Sequence, residues 1–257
     1  MKQIMPLVFV GHGSPMNAIE DNHYTRGWKE IAREIPKPEA ILMISAHWFT
    51  QGSRISDRKD PKTVYDMYGF PEELYRVQYP VPGSPELART LMQNAGNELI
   101  IDNTWGIDHG AWSVLVHMYP KADIPVLQLS IDRQSPAMVH YEIGKSLSPL
   151  REQGILIIAS GNIVHNLREV DFRMQSGYKW AEEFDLKVRD MIHASNHEAL
   201  IDYRSISPQS RQAIPTPDHY LPLLYLLGAS DPQDTIATYN RDCVYGSLSM
   251  TSYLFHR

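Results

Sequence analysis

Ile155-Leu-Ile-Ile-Ala159-Ser-Gly-Asn-Ile-Val-His165-Asn-Leu167 runs apolar for five residues, breaks at Ser-Gly-Asn and reaches a histidine six residues past Ala159. A short, β-branched apolar run ending in turn residues reads as a buried strand, and the lack of polar alternation places it in a sheet covered on both faces. The same arrangement occurs twice nearer the start. Met5-Pro-Leu-Val-Phe-Val10 runs into Gly11-His12-Gly13-Ser14-Pro15, and Ala40-Ile-Leu-Met-Ile-Ser-Ala46 runs into His47-Trp48-Phe49. Glycines on both sides of His12 let the chain bend tightly and leave the imidazole uncrowded.

Working outward, further strands are expected over 98–102 and 124–130. Helices are expected over 24–35, 85–95, 113–118, 136–150 and 180–194, with another beginning over 198–203. Residues 214–228 read as a loop entering a helix, with His219 at or just before its first turn and Gly228 capping its end. The tail, 235–254, alternates enough for one or two antiparallel strands. Residues 51–83 are irregular and rich in Tyr and Pro; loops this long are usually functional or disordered, and the aromatic content favours an ordered cover over a site. No repeat or low-complexity linker divides the chain. Strands alternating with helices therefore predict a single α/β domain over residues 1–257, with a mostly parallel central sheet flanked by helices. In such sheets ligands bind beyond the carboxyl ends of the strands, which is where His12, His47 and His165 are expected.

The 257 residues carry 24 Lys and Arg against 30 Asp and Glu, a formal charge of -6. That argues against nucleic acid, whose phosphates need clustered cations, and leaves an uncharged or anionic small molecule as the easier partner. Cys243 is the only cysteine, so neither an intrachain disulfide nor a thiolate metal cage can form, as fits a reducing cytoplasm. The first residues lack a signal-peptide pattern, and no apolar run approaches the roughly 20 residues of a membrane span. A cytoplasmic protein, monomeric or a small homo-oligomer, is the expectation.

Of the 11 histidines, His23, His117, His140, His193, His197 and His256 lie on helical or terminal stretches and read as structural or solvated. His12, His47, His165 and His219 stand in marked settings and suggest one metal site. Neutral imidazole binds zinc and non-haem iron, and a chain without thiolates has to build such a site from His, Asp and Glu. A helix N-terminus beside His219 would favour its neutral form. Asn162 and Asn166 are possible orienting partners for His165. His109, between Asp108 and Gly110, is either an acid or base near the pocket or part of a surface turn. Ser14 and Ser160 lack the Gly-x-Ser-x-Gly elbow of a nucleophile, and no phosphate loop, dinucleotide fingerprint or His-Glu-x-x-His segment is present.

Five motifs occur in order: Gly11-His12-Gly-Ser-Pro15, Ser45-Ala-His47-Trp48, Gly106-Ile-Asp-His109-Gly-Ala-Trp112, Ser160-Gly-Asn-Ile-Val-His165-Asn-Leu167 and Pro215-Thr-Pro-Asp-His219-Tyr. Together they resemble the class III extradiol ring-cleaving dioxygenases, the LigB-like superfamily, and within it the DOPA 4,5-dioxygenase branch. The resemblance implies an α/β sandwich with a metal at one end of the sheet, held by His12, His47 and, where protocatechuate-type relatives place a glutamate, His219. It implies an acid–base role or a metal contact for His165, and a place near the substrate for His109. The implied cofactor is Fe(II), with Zn(II) accepted by the same imidazoles. The implied partners are O2 and a catechol such as DOPA, cleaved to a muconic semialdehyde-type product. Two other readings of the same histidines are a zinc-dependent hydrolase and a non-catalytic binding module.

Overall fold

The computed structural model describes residues 4–94 and 99–257; the expected helix end at Ala95 and strand start at Glu98 lie outside them. In chain order the elements are β1 (Leu7–Gly11), α1 (His23–Glu34), β2 (Ala40–Thr50), β3 (Ser53–Ile55), α2 (Glu72–Tyr75), α3 (Pro85–Asn94), β4 (Leu99–Ile101), α4 (His109–Met118), β5 (Val126–Asp132), α5 (Ala137–Leu147), β6 (Ile155–Gly161), α6 (Lys179–His193), α7 (His197–Ile201), α8 (Ser210–Ala213), α9 (Leu221–Ala229), β7 (Thr235–Tyr239), β8 (Cys243–Val244), β9 (Leu248–Ser249) and β10 (Ser252–His256). Eight strands form the main sheet in the order β4-β3-β5-β2-β6-β1-β10-β7. Its middle, β5-β2-β6-β1, is parallel throughout, whereas β10 runs antiparallel to β1 and β7 to β10. This is the single α/β domain with a mostly parallel sheet that the alternation of strands and helices predicts.

Side chains alternate between the faces of each central strand. Leu7, Phe9, Leu42, Ile44 and Ile157 pack with Leu147, Phe184, Leu223 and Leu227 on one side. Val8, Val10, Ile41, Met43 and Ile158 pack with Trp28, Ile31, Trp112 and Leu115 on the other. With both faces covered, neither set of positions has to be polar, which explains the unbroken apolar runs.

Several elements differ from the sequence expectation. The α4 helix starts at His109 rather than Ser113, because the Asp108 side chain accepts the backbone N–H of Ala111 and caps it. That buries His109 at 5% exposure and rules out a surface turn. The β2 strand continues to Thr50, and its register against β5 is irregular between Ile44 and Phe49, so His47 lies within this irregular stretch rather than beyond the strand. A short strand, β3, forms inside the 51–83 excursion, and the tail makes four short strands instead of one or two. Among the described residues, no helix is long and apolar enough to cross a membrane.

Gly228 does not cap α9; it lies in the helix, facing α5. A Cβ there would stand 2.0 Å from the Tyr141 carbonyl oxygen, and a Cβ on Gly144 of α5 would stand 2.1 Å from that of Tyr225. The two helices meet backbone to backbone because each offers a glycine. Gly144→Ala must force them apart, and overpacking of this kind costs about 1–3 kcal/mol. The expected result is a lower midpoint of chemical unfolding; an unchanged midpoint would show that the contact relaxes freely.

Candidate metal centre

The site forms where the parallel strands end. His12 is the first residue past β1, whose partner β6 stays in register to Gly11↔Gly161 and so sets Ser160 beside His12. Gly11 and Gly13 are needed here: a Cβ on Gly11 would lie 2.6 Å from the Met250 carbonyl carbon, and Gly13 has φ +62. The turn after β6 docks on the segment entering α9. The backbone N–H of Asn162 donates to the His219 carbonyl at 2.9 Å, and a Cβ on Gly161 would stand 2.2 Å from that oxygen. His165 is anchored through its backbone N–H to the Ala213 carbonyl at 2.9 Å.

The structure brings all five candidate histidines together. The ring centroids of His12 and His47 are 5.0 Å apart, those of His12 and His219 5.2 Å, and those of His47 and His219 5.0 Å. His109 approaches His47 to 3.8 Å. His165 stacks on His219 at 3.4 Å, with the rings within 6° of parallel.

Hydrogen bonding fixes which nitrogen faces inward in four of the five rings. The Ser160 hydroxyl donates to the Gly110 carbonyl at 2.6 Å, so at 2.9 Å from His12 Nδ1 it can only accept. His12 therefore carries its proton on Nδ1 and keeps a lone pair on Nε2. Asp66 imposes the same tautomer on two rings, with His47 Nδ1 3.2 Å from Oδ2 and His109 Nδ1 3.0 Å from Oδ1. Asp218 does so for His219 Nδ1. The His12 and His47 Nε2 atoms then face each other at 3.1 Å, and His219 Nε2 is buried without a hydrogen-bond partner among the described residues. Ring nitrogens facing each other in this way suit a cation between them. A metal–nitrogen bond of about 2.1 Å would put each ring centroid about 3.2 Å from an ion, and three tetrahedral ligands about 5 Å apart, which the His12, His47 and His219 triangle matches.

Two groups of possible ligand atoms also cluster within 4.8 Å: His12 with His47 and His109, and His165 with Asp218 and His219. His219 links the two groups, its ring centroid lying 5.2 Å from that of His12 and 5.0 Å from that of His47. Asp218 is already committed to His219 Nδ1, which leaves the buried His219 Nε2 unpaired among the described residues.

Burial, reinforced by the neighbouring imidazoles, holds the pKa of His12 well below the ordinary histidine value. Burial and then His219 do the same for His165. His109 and His219 are lowered mainly by burial, against the pull of Asp66 and Asp218 respectively. For His47 burial acts downward too, but the nearby carboxylates, Asp66 foremost, outweigh it and raise the value. Burial pushes Asp66 and Asp218 up, yet their hydrogen bonds from histidine prevail and hold both below the usual carboxylate range. The four lowered rings and the ionised carboxylates are in the states a metal site requires, and His47, the one raised ring, would give up its inward proton to a metal.

A cavity of about 470 Å³ opens over the cluster, lined by the five histidines and Asp66 and walled by Met67, Tyr68, Phe70, Leu167 and Phe172. The 51–83 excursion thus covers the site, as its composition predicts, and its Tyr68 is 92% exposed. Asn162 and Asn166 do not orient the His165 ring. Their amides donate instead to the carbonyls of Ser249 (2.6 Å) and Gln212 (2.9 Å), holding the loop. His219 stands just before α9, which begins two residues later, and its Nδ1 is paired with Asp218. Sequence reasoning missed Asp66 altogether, gave Asp218 no role of its own and took Ser160 only for a rejected nucleophile.

Residues 6–255 match the family described as the catalytic LigB subunit of aromatic ring-opening dioxygenase. The chain is 46% identical to a 4,5-DOPA dioxygenase extradiol of Escherichia coli K12, over 96% of this chain and 93% of that protein. It is 36% identical to one of Beta vulgaris, over 96% and 95%. A crystal structure of an uncharacterized Escherichia coli K12 protein superimposes with a TM-score of 0.83 at 42% identity, covering 97% of this chain and 99% of that one.

Proposed function

The chain belongs to the LigB family of aromatic ring-opening dioxygenases, oxidoreductases of the extradiol class, and we propose that it cleaves a catechol such as DOPA at the 4,5 bond with O2. In this reading residues 1–257 act as one catalytic domain, and His12, His47 and His219 hold a non-haem Fe(II). The observation that carries it is the triangle of three imidazole rings, 5.0–5.2 Å apart between centroids and each pinned through Nδ1 by Ser160, Asp66 or Asp218. Bound Fe(II) supplies the Lewis acidity that eases ionisation of the catechol hydroxyls and the open positions that admit substrate and O2. Zn(II) fits the same imidazoles without the redox chemistry.

The chain's own residues do the rest. His165, close to the site and with no hydrogen bond to either ring nitrogen among the described residues, accepts the hydroxyl proton and returns it later. His109, whose Nδ1 is tied to Asp66, presents Nε2 beside the substrate. Met67, Phe70 and Phe172 pack against the ring and keep water from it.

Anaerobic loading with Fe(II), then DOPA and air, is expected to give oxygen uptake and a yellow ring-opened product, with no uptake for the Zn(II)-loaded protein. Ester or amide turnover with Zn(II) alone, and no oxygen consumption with Fe(II), would transfer the site to a hydrolase. A catechol panel read with an oxygen electrode then ranks the substrates.

A further inference from the structure

Asp66 is one carboxylate serving two histidines of different purpose. Its Oδ1 accepts both the backbone N–H and the Nδ1–H of His109, each at 3.0 Å, and its Oδ2 faces His47 Nδ1 at 3.2 Å. The side chain is 12% exposed. We propose that Asp66 is the positioning residue that turns Nε2 of both His47 and His109 toward the pocket, so that the covering 51–83 segment is itself part of the metal site. The inference rests on the reading of His12, His47 and His219 as metal ligands.

The polarity of these bonds makes the role specific. A carboxylate offers acceptors only, so both rings must place their protons on Nδ1. An amide in its place would offer one acceptor and one donor. The backbone N–H of His109 cannot reverse, so the amide oxygen is forced to the Oδ1 side, where it still serves His109. The NH2 group then meets His47 Nδ1, which can answer only as an acceptor, with its proton moved to Nε2. That proton would point at His12 Nε2, 3.1 Å away, and close the gap with an N–H···N bond where the metal belongs. Asp66→Asn thus exchanges a metal-binding pair of imidazoles for a self-satisfied one.

The covering segment does not depend on Asp66 to stay docked. The Val64 N–H donates to the Ile107 carbonyl at 2.8 Å, the Ile107 N–H to that of Lys62 at 2.9 Å, and Trp112 Nε1 to that of Val64 at 2.9 Å. Gly106 lies so close beneath the segment that a Cβ would stand 2.1 Å from the Lys62 oxygen.

The test is a chelator-competition titration with Zn(II) on metal-free wild type, Asp66→Asn and His12→Ala, together with ¹⁵N–¹H spectra of the imidazoles, whose shifts report which nitrogen carries the proton. Metal-free wild type is expected to show Nδ1–H on both His47 and His109. Asp66→Asn is expected to show Nε2–H on His47 with His109 unchanged, and to bind Zn(II) about 10–100-fold more weakly, as loss of a group supporting a ligand usually does. A wild-type protein in which either ring lacks Nδ1–H overturns the proposal without any variant. So does an Asp66→Asn protein with wild-type Zn(II) affinity while His12→Ala has lost the metal. Should His12→Ala bind Zn(II) as tightly as wild type, the metal-site reading itself falls, whatever Asp66→Asn does.

Discussion

His12→Ala is expected to emerge from purification without metal and without ring-cleaving activity. The His12 centroid lies 5.0 Å from that of His47 and 5.2 Å from that of His219, so its removal takes one corner from a triangle of three. Zinc sites in small peptides gain about 10–16 kcal/mol from four ligands, so one ligand accounts for about a quarter of that and its loss weakens binding by about two to three powers of ten. No neighbour can replace it from the same direction. Gly11 and Gly13 carry no side chain, and Ser160, whose hydroxyl touches His12 Nδ1, donates its proton to Gly110. Metal content after dialysis against one equivalent of Fe(II) or Zn(II), measured beside oxygen uptake, checks the expectation. Retention of a full equivalent by an inactive His12→Ala protein would remove His12 from the metal's surroundings and leave it a substrate contact.

That His12 could be chosen at all from the sequence has a physical reason. An apolar run covered on both faces has no freedom to place a histidine except at its end, and His12 and His165 each follow such a run. His219 stood out because Pro215, Pro217 and a following apolar helix fix where the chain must turn. What stayed hidden depends on contacts that carry no period. Asp66 lies in an irregular stretch, Tyr65-Asp66-Met67-Tyr68, and nothing local separates it from a solvated acid; only the docking of that stretch on Ile107 and Trp112 brings it under two imidazoles. The same holds for Gly228. Local rules place a glycine near a helix end as a cap, whereas the crossing of α5 and α9 is what requires it. For His109 a usable signal was present and went unread: Asp108 is a good N-cap residue, and it starts α4 four residues before the apolar run suggests.

The contrasting expectation is for His165→Ala, which should keep its metal and lose turnover. His165 differs from the other four in one respect: each of them has Nδ1 tied to Ser160, Asp66 or Asp218, whereas no side-chain hydrogen bond holds His165 among the described residues. Its ring is held instead by stacking on His219 at 3.4 Å, which leaves both nitrogens free to exchange a proton without breaking a bond. A ligand needs one nitrogen fixed on the metal for the whole cycle; a proton carrier needs the reverse. A positioned acid–base group contributes typically about 10²–10⁴-fold, so kcat should fall by that range in His165→Ala while metal per chain stays at the wild-type level. Removing the stacked ring also frees one face of His219, so a modest loosening of the metal is compatible with the role, but loss on the scale of His12→Ala is not. The two variants, assayed side by side for metal and for oxygen uptake, therefore divide the five imidazoles by function. Parallel loss of metal in both would make His165 a fourth ligand and pass the proton to His109, the only other ring at the site with an inward Nε2 outside the proposed ligand trio.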